Sequence, residues 1–252
     1  RLSAHIPGCG DRPAVNRYQM NVAIIQCDTV ADEFAAEFGH YTDMIKRMFE
    51  SAGTDLEYRI FDAQQAKYPH NLDAYDFYIT TGSKAGAYQD MPWIKQLIRF
   101  VQRLDNQRKK LIGICFGHQI IAMARQGLVE KSPKGWGVGV ASNRVIAHPK
   151  WMKEPADELN IIVSHQDQIS RLADNAQVIA SSDFCPYFVV QWGDHFLSIQ
   201  GHPEWLPDYS RTLMNHRREI LGDERVKTGL ASLATKPDNA LFTRWILDFV
   251  AS

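Results

Sequence analysis

Near the middle of the chain, Leu111-Ile-Gly-Ile-Cys-Phe-Gly-His-Gln119 carries an apolar, strand-like run straight into a cysteine and then into a helical pattern. A side chain held at the tip of such a strand-to-helix turn strains its own backbone, so its close neighbours must be small. Gly113 and Gly117, two positions before and two after Cys115, meet that need. The pattern is that of a nucleophile elbow. Cys115 would then precede a helix over His118–Gln126, whose free N–H groups and dipole stabilise a thiolate against a free-cysteine pKa of roughly 8.5. The competing reading is a small buried hydrophobe at a strand end.

From Met20 the chain alternates between strand and helix patterns. Val22–Gln26, Leu56–Phe61, Phe77–Thr80 and Leu111–Ile114 read as strands. Tyr41–Ala52 reads as a helix because Tyr41, Ile45, Met48, Phe49 and Ala52 share a face, and Pro92 opens another with a stripe of Trp93, Leu97, Ile98, Val101 and Leu104. Such alternation predicts an α/β fold: a mostly parallel sheet with helices on both faces and a site at the strands' carboxyl ends. Gly135–Ala147 and Gln177–Ile199 carry shorter strands and turns, which predicts a small antiparallel excursion beside the main sheet. Three helical stretches, Asp208–Leu221, Arg225–Leu233 and Asn239–Val250, close the chain.

A cysteine nucleophile needs a base, and the base needs an orienting group. Among nine histidines, His202 follows the apolar run Phe196–Ile199 and precedes Pro203, which favours an extended backbone. In an extended segment residues two apart face the same side, so Glu204 can accept from one imidazole nitrogen while the other faces the thiol. Cys115, His202 and Glu204 thus form a candidate triad. His118 is the rival base, three residues from the cysteine, with no evident carboxylate beside it.

Taken together, Gly113–Gln119 and Gln200-Gly-His-Pro-Glu204 resemble the class I, triad-type glutamine amidotransferases. Three more segments agree in order: Thr80-Thr-Gly-Ser83 resembles that family's oxyanion loop, Val163-Ser-His-Gln-Asp167 its glutamine-binding segment, and Cys185-Pro186 a pair found before its last strands. The resemblance spans about residues 21–205 and implies a flavodoxin-like fold. It also implies hydrolysis of a γ-glutamyl amide through a cysteine thioester, with N–H groups of Gly82, Ser83 and Phe116 as oxyanion donors. Gln119, Ser164, His165 and Gln166 would contact the substrate. Gly82-Ser83-Lys84 departs from the Gly-Gly-Pro usual in synthetase-linked members and is more similar to the stand-alone branch. Ammonia donation to a separate synthetase subunit stays an alternative, as does a non-catalytic glutamine-binding module.

Composition bounds the rest. The chain has 252 residues, enough for a substantial core, and Met20–Ser252 is expected to form a single domain; residues 1–19, punctuated by Pro7, Gly8, Gly10 and Pro13, read as an extension ahead of it. Twenty-eight basic against 29 acidic residues, without a basic patch, argue against a nucleic-acid partner. Cys9, Cys27, Cys115 and Cys185 lie far apart, which suits a reduced cytoplasm and no structural zinc. No run approaches the ~18 apolar residues of a membrane span, and neither a metal nor a cofactor is expected.

Overall fold

The computed structural model describes residues 19–252; the predicted extension, apart from Gln19, and Cys9 lie outside the described residues. The chain starts with β1 (Met20–Gln26), α1 (Asp32–Phe38), α2 (Tyr41–Ser51), β2 (Leu56–Asp62) and β3 (Phe77–Thr80). Helix α3 (Pro92–Asn106), β4 (Leu111–Ile114) and α4 (Phe116–Ala124) come after them. A strand-rich stretch is next: β5 (Leu128–Lys131), β6 (Gly137–Val145), β7 (Glu158–His165), β8 (Asp167–Arg171), β9 (Ala176–Ser181), β10 (Val189–Trp192) and β11 (Phe196–Ile199). Four helices finish the chain: α5 (Pro207–His216), α6 (Arg218–Leu221), α7 (Asp223–Ser232) and α8 (Asn239–Val250).

Nine strands form one mixed sheet in the order β2-β1-β3-β4-β11-β10-β9-β6-β7, while β5 and β8 pair separately. The five strands from β2 to β11 run parallel, and β11 to β7 alternate in direction. This is the expected α/β architecture. The antiparallel strands extend the main sheet, and the small separate ladder is β5–β8, whose two halves are divided by more than thirty residues of intervening chain. β5 and α1 carry too few apolar residues to declare themselves by periodicity: β5 buries Val129 alone and α1 buries none.

Side-chain alternation along β1 sends Val22 and Ile24 to one face and Ala23 and Ile25 to the other. On the first face α2 and α8 supply Ile45, Phe49, Trp245 and Phe249; on the second, α3 and α4 supply Leu97, Val101, Ile120 and Ile121. Both faces are therefore dry, which is why the parallel strands read as unbroken apolar runs. The buried stripe of α3 is Ile94, Leu97, Phe100, Val101 and Leu104, with the expected Trp93 and Ile98 at its half-buried margin. The expected helix Asp208–Leu221 is interrupted at Arg217, which ends α5 and precedes α6.

The strand order solves a distance problem. β11 inserts beside β4 in parallel register, Phe196 against Leu111 through Ile199 against Ile114. Its carboxyl end thus emerges next to Cys115, whose N–H donates to Ile199 O at 2.8 Å. β3 lies on the other side of β4, so three adjacent parallel strands deliver Gly82, Cys115 and His202 to one edge of the sheet.

Candidate active site

Cys115 is the N-cap of α4, with φ 48° and ψ −96°. A non-glycine residue in that region stores about 1–3 kcal/mol of backbone strain, as expected of an elbow. The helix begins at Phe116 rather than His118, so the sulfur stands directly at the first turn, where N–H groups lack intrahelical acceptors. Both glycines are sterically required. A Cβ on Gly117 would fall 1.7 Å from Thr80 Oγ1, and one on Gly113 would fall 2.6 Å from Ile121 Cδ1 and 3.0 Å from the Gly117 backbone.

His202 and Glu204 do meet, with Nδ1 and Oε1 2.8 Å apart and both side chains buried. They meet through a turn, not the extended segment expected, for Trp205 N–H reaches back to His202 O at 3.3 Å. Trp205 then stacks on the imidazole, with centroids 3.7 Å apart and planes 11° from parallel. Burial opposes the imidazolium, but the Glu204 carboxylate, the cysteine sulfur and hydrogen bonds to both outweigh it and hold His202 well above the ordinary histidine range. Gly82 closes against this pair; a Cβ there would sit 2.9 Å from His202 Cε1 and 3.7 Å from Cys115 Cβ.

His118 is elsewhere. Its Nδ1 lies 2.7 Å from Ser198 Oγ, a hydroxyl that accepts from Trp192 Nε1 at 2.8 Å, and burial pushes its pKa down to about 3. It is a neutral core histidine.

Gly82, Ser83, Cys115, Gln119, Ser164, His165, Gln166 and His202 line one cleft of about 660 Å³. Phe116 is buried behind it against Trp93, and Glu204 lies behind His202. Gln119 is buried rather than solvent-facing, and its amide donates to Asp167 O at 3.1 Å and Gln200 Oε1 at 3.2 Å. His165 Nδ1 lies 3.1 Å from Asp167 O, and burial lowers its pKa to about 4.

Three further side chains bear on the site. Gln200 Nε2 donates to Cys115 Sγ at 3.5 Å. Asp28 Oδ2 accepts from Lys84 N–H at 3.1 Å and from the Ser83 hydroxyl at 3.3 Å, bracing the Gly82–Lys84 loop. Tyr88 OH donates to Asp167 Oδ1 at 3.3 Å across the rim. Gln200 adjoins the His-Pro-Glu run and is findable by position; Asp28 and Tyr88 act across folded distance.

No helix among the described residues is long and apolar enough to cross a membrane, and no three His, Cys, Asp or Glu side chains there gather as a metal site.

Comparison with known proteins identifies the family. The sequence model of glutamine amidotransferase class-I matches residues 35–224. Gamma-glutamyl peptidase 3 of Arabidopsis thaliana is 34% identical over 237 residues, covering 89% of this chain and 93% of that protein. Gamma-glutamyl peptidase 4 of the same plant is 32% identical over 187 residues, covering 71% and 74%. A crystal structure of a glutamine amidotransferase from Thermotoga maritima superposes with a TM-score of 0.74 at 17% identity, covering 93% of this chain and all of that one. The chain belongs to the class-I glutamine amidotransferase family.

Proposed function

We propose that this chain hydrolyses the γ-glutamyl amide bond of glutamine or a γ-glutamyl compound through a thioester on Cys115. The strained cysteine backbone beside a buried His202–Glu204 pair, in one cleft, is the observation that carries this reading. The Cys115 thiolate attacks the γ-carbonyl carbon, and the oxyanion formed accepts from N–H groups of Phe116 and the Gly82-Ser83 loop. As the tetrahedral intermediate collapses, the C–N bond breaks and the His202 imidazolium gives its proton to the departing nitrogen. Water, losing a proton to the same imidazole, attacks the thioester; glutamate leaves, and the thiolate–imidazolium pair is restored. Glu204 keeps the ring oriented and favours its charged form. Gln119, Ser164, His165 and Gln166 bind the glutamyl end.

The brace from Asp28 favours a self-sufficient hydrolase, because donors already fixed need no reorganisation during the reaction. Steady-state kinetics on the purified chain test the proposal. Turnover of some γ-glutamyl amine or peptide at about 1 s⁻¹ or faster, abolished by Cys115→Ala, is the expected result. Negligible turnover on every γ-glutamyl compound would overturn it, and turnover appearing only when a synthetase is added would assign the chain as an ammonia donor instead.

A further inference from the structure

Among the described residues, three Lys or Arg side chains line the cleft, Lys84, Lys131 and Arg217, and of these Arg217 is the one seated on an aromatic ring. Arg217, at the junction of α5 and α6, is half-buried and lines the same cavity as Cys115. Its guanidinium carbon lies 4.4 Å from the centre of the Trp136 ring. Burial lowers its pKa, and the groups that act on its charge are the phenols of Tyr41 and Tyr209, which burial keeps neutral. Arg211 and Arg218, its neighbours in sequence, pair with Asp208 and Asp223, whereas no carboxylate among the described residues pairs with Arg217. Trp136 is itself fixed, because its carbonyl accepts from Arg225 and its ring packs against the cluster of Met214, Leu221 and Val226.

The position of this cation relative to the reacting bond is set by a relay of rings. Trp205 stacks on His202, Tyr209 meets Trp205 edge-on at 4.8 Å, and Tyr209 and Arg217 line the same cleft. On the hydrolase reading, the imidazole at the start of this relay protonates the leaving nitrogen, so a group attached to that nitrogen is placed to extend along this wall. The residues assigned to the glutamyl end gather around Asp167.

A half-buried guanidinium held on an aromatic face in the wall of a cleft can bind a carboxylate bidentately. We propose that Arg217, seated on Trp136, binds a carboxylate carried by the leaving amine, so that γ-glutamyl amino acids and peptides are preferred over simple γ-glutamyl amides. This rests on the hydrolase reading above. Glutamine, whose leaving group is ammonia, offers nothing to this subsite.

The test compares γ-glutamylglycine with γ-glutamylglycinamide, which differ by carboxylate against carboxamide, on the full chain. Wild type is expected to favour the acid in kcat/KM by about tenfold or more. In Arg217→Gln that ratio falls toward one, and in Arg217→Lys, which keeps the charge but loses the fork, it is intermediate. A ratio near one in wild type, or an unaltered ratio in Arg217→Gln, overturns the subsite while leaving the hydrolase reading intact. Cleavage of neither compound, nor of any other γ-glutamyl substrate, by wild type removes the hydrolase reading and the subsite with it. The wild-type ratio alone decides the matter if a variant fails to fold.

Discussion

At Cys115 a strained backbone, the first turn of α4 and an amide donor from Gln200 converge on one sulfur. The residue-scale consequences concern its proton partner. His202→Asn is expected to cost about 10²–10⁴ in kcat/KM, the usual worth of a general acid–base group, with the smaller loss in His118→Asn, whose ring serves Ser198 and the core. Equal losses in two folded variants would refute the assignment. On the proposed mechanism Glu204 is expected to set the pH dependence. With the imidazolium held above the ordinary range, kcat/KM should fall on the alkaline side only well above pH ~6.5. Glu204→Gln removes the strongest influence raising that pKa, so the alkaline limb should move downward; a pH–rate profile that stays in place would contradict this role for Glu204.

At the scale of elements, the elbow and the oxyanion loop are separable. Gly117→Ala drives a methyl into Thr80, whose hydroxyl already accepts from Ile114 N–H, and should cost about 3 kcal/mol or more in a denaturation experiment. Asp28→Ala leaves the core untouched but frees Lys84 N–H and Ser83 Oγ. It should lower kcat about tenfold or more with little change in melting temperature, since small misplacements of positioned groups cost rate steeply. A loss of stability without loss of kcat would assign Asp28 a purely structural role. These elements also mark what is legible in the sequence. β3 and β4 are readable to the residue because strands buried on both faces leave continuous apolar runs ended by polar or special residues. The turn at His202–Trp205 is not, because Pro203 favours an extended residue before it but leaves the conformation of Glu204 and Trp205 open. The break at Arg217 is hidden by a helical pattern that continues in sequence across it.

Across the whole molecule, the strand order brings the candidate site together. The paired motifs around Cys115 and His202 are readable one by one; their meeting depends on β11 pairing with β4, a non-local contact with no local sequence signature. The same holds for Asp28, Gln200 and Arg217, which gain meaning from neighbours that the fold supplies. Acid stability is a property of this scale. His118 and His165 stay neutral in the folded state down to about 3 and about 4, whereas the unfolded chain takes up protons near pH 6.5. The unfolded state therefore binds more protons below pH ~6.5, and stability present above that value is lost as pH falls. Melting temperature should drop between pH ~6.5 and ~4; a flat profile would contradict the burial of both rings.

The most direct measurement is peptide mapping after treatment with an electrophilic glutamine analogue. Burial raises the thiol pKa of Cys27 and pushes that of Cys185 up to about 12, so neither supplies thiolate near neutral pH. A cysteine nucleophile at the elbow predicts one stoichiometric adduct, on Cys115, formed far more slowly in His202→Asn. Modification of Cys9, Cys27 or Cys185 with Cys115 untouched would contradict it.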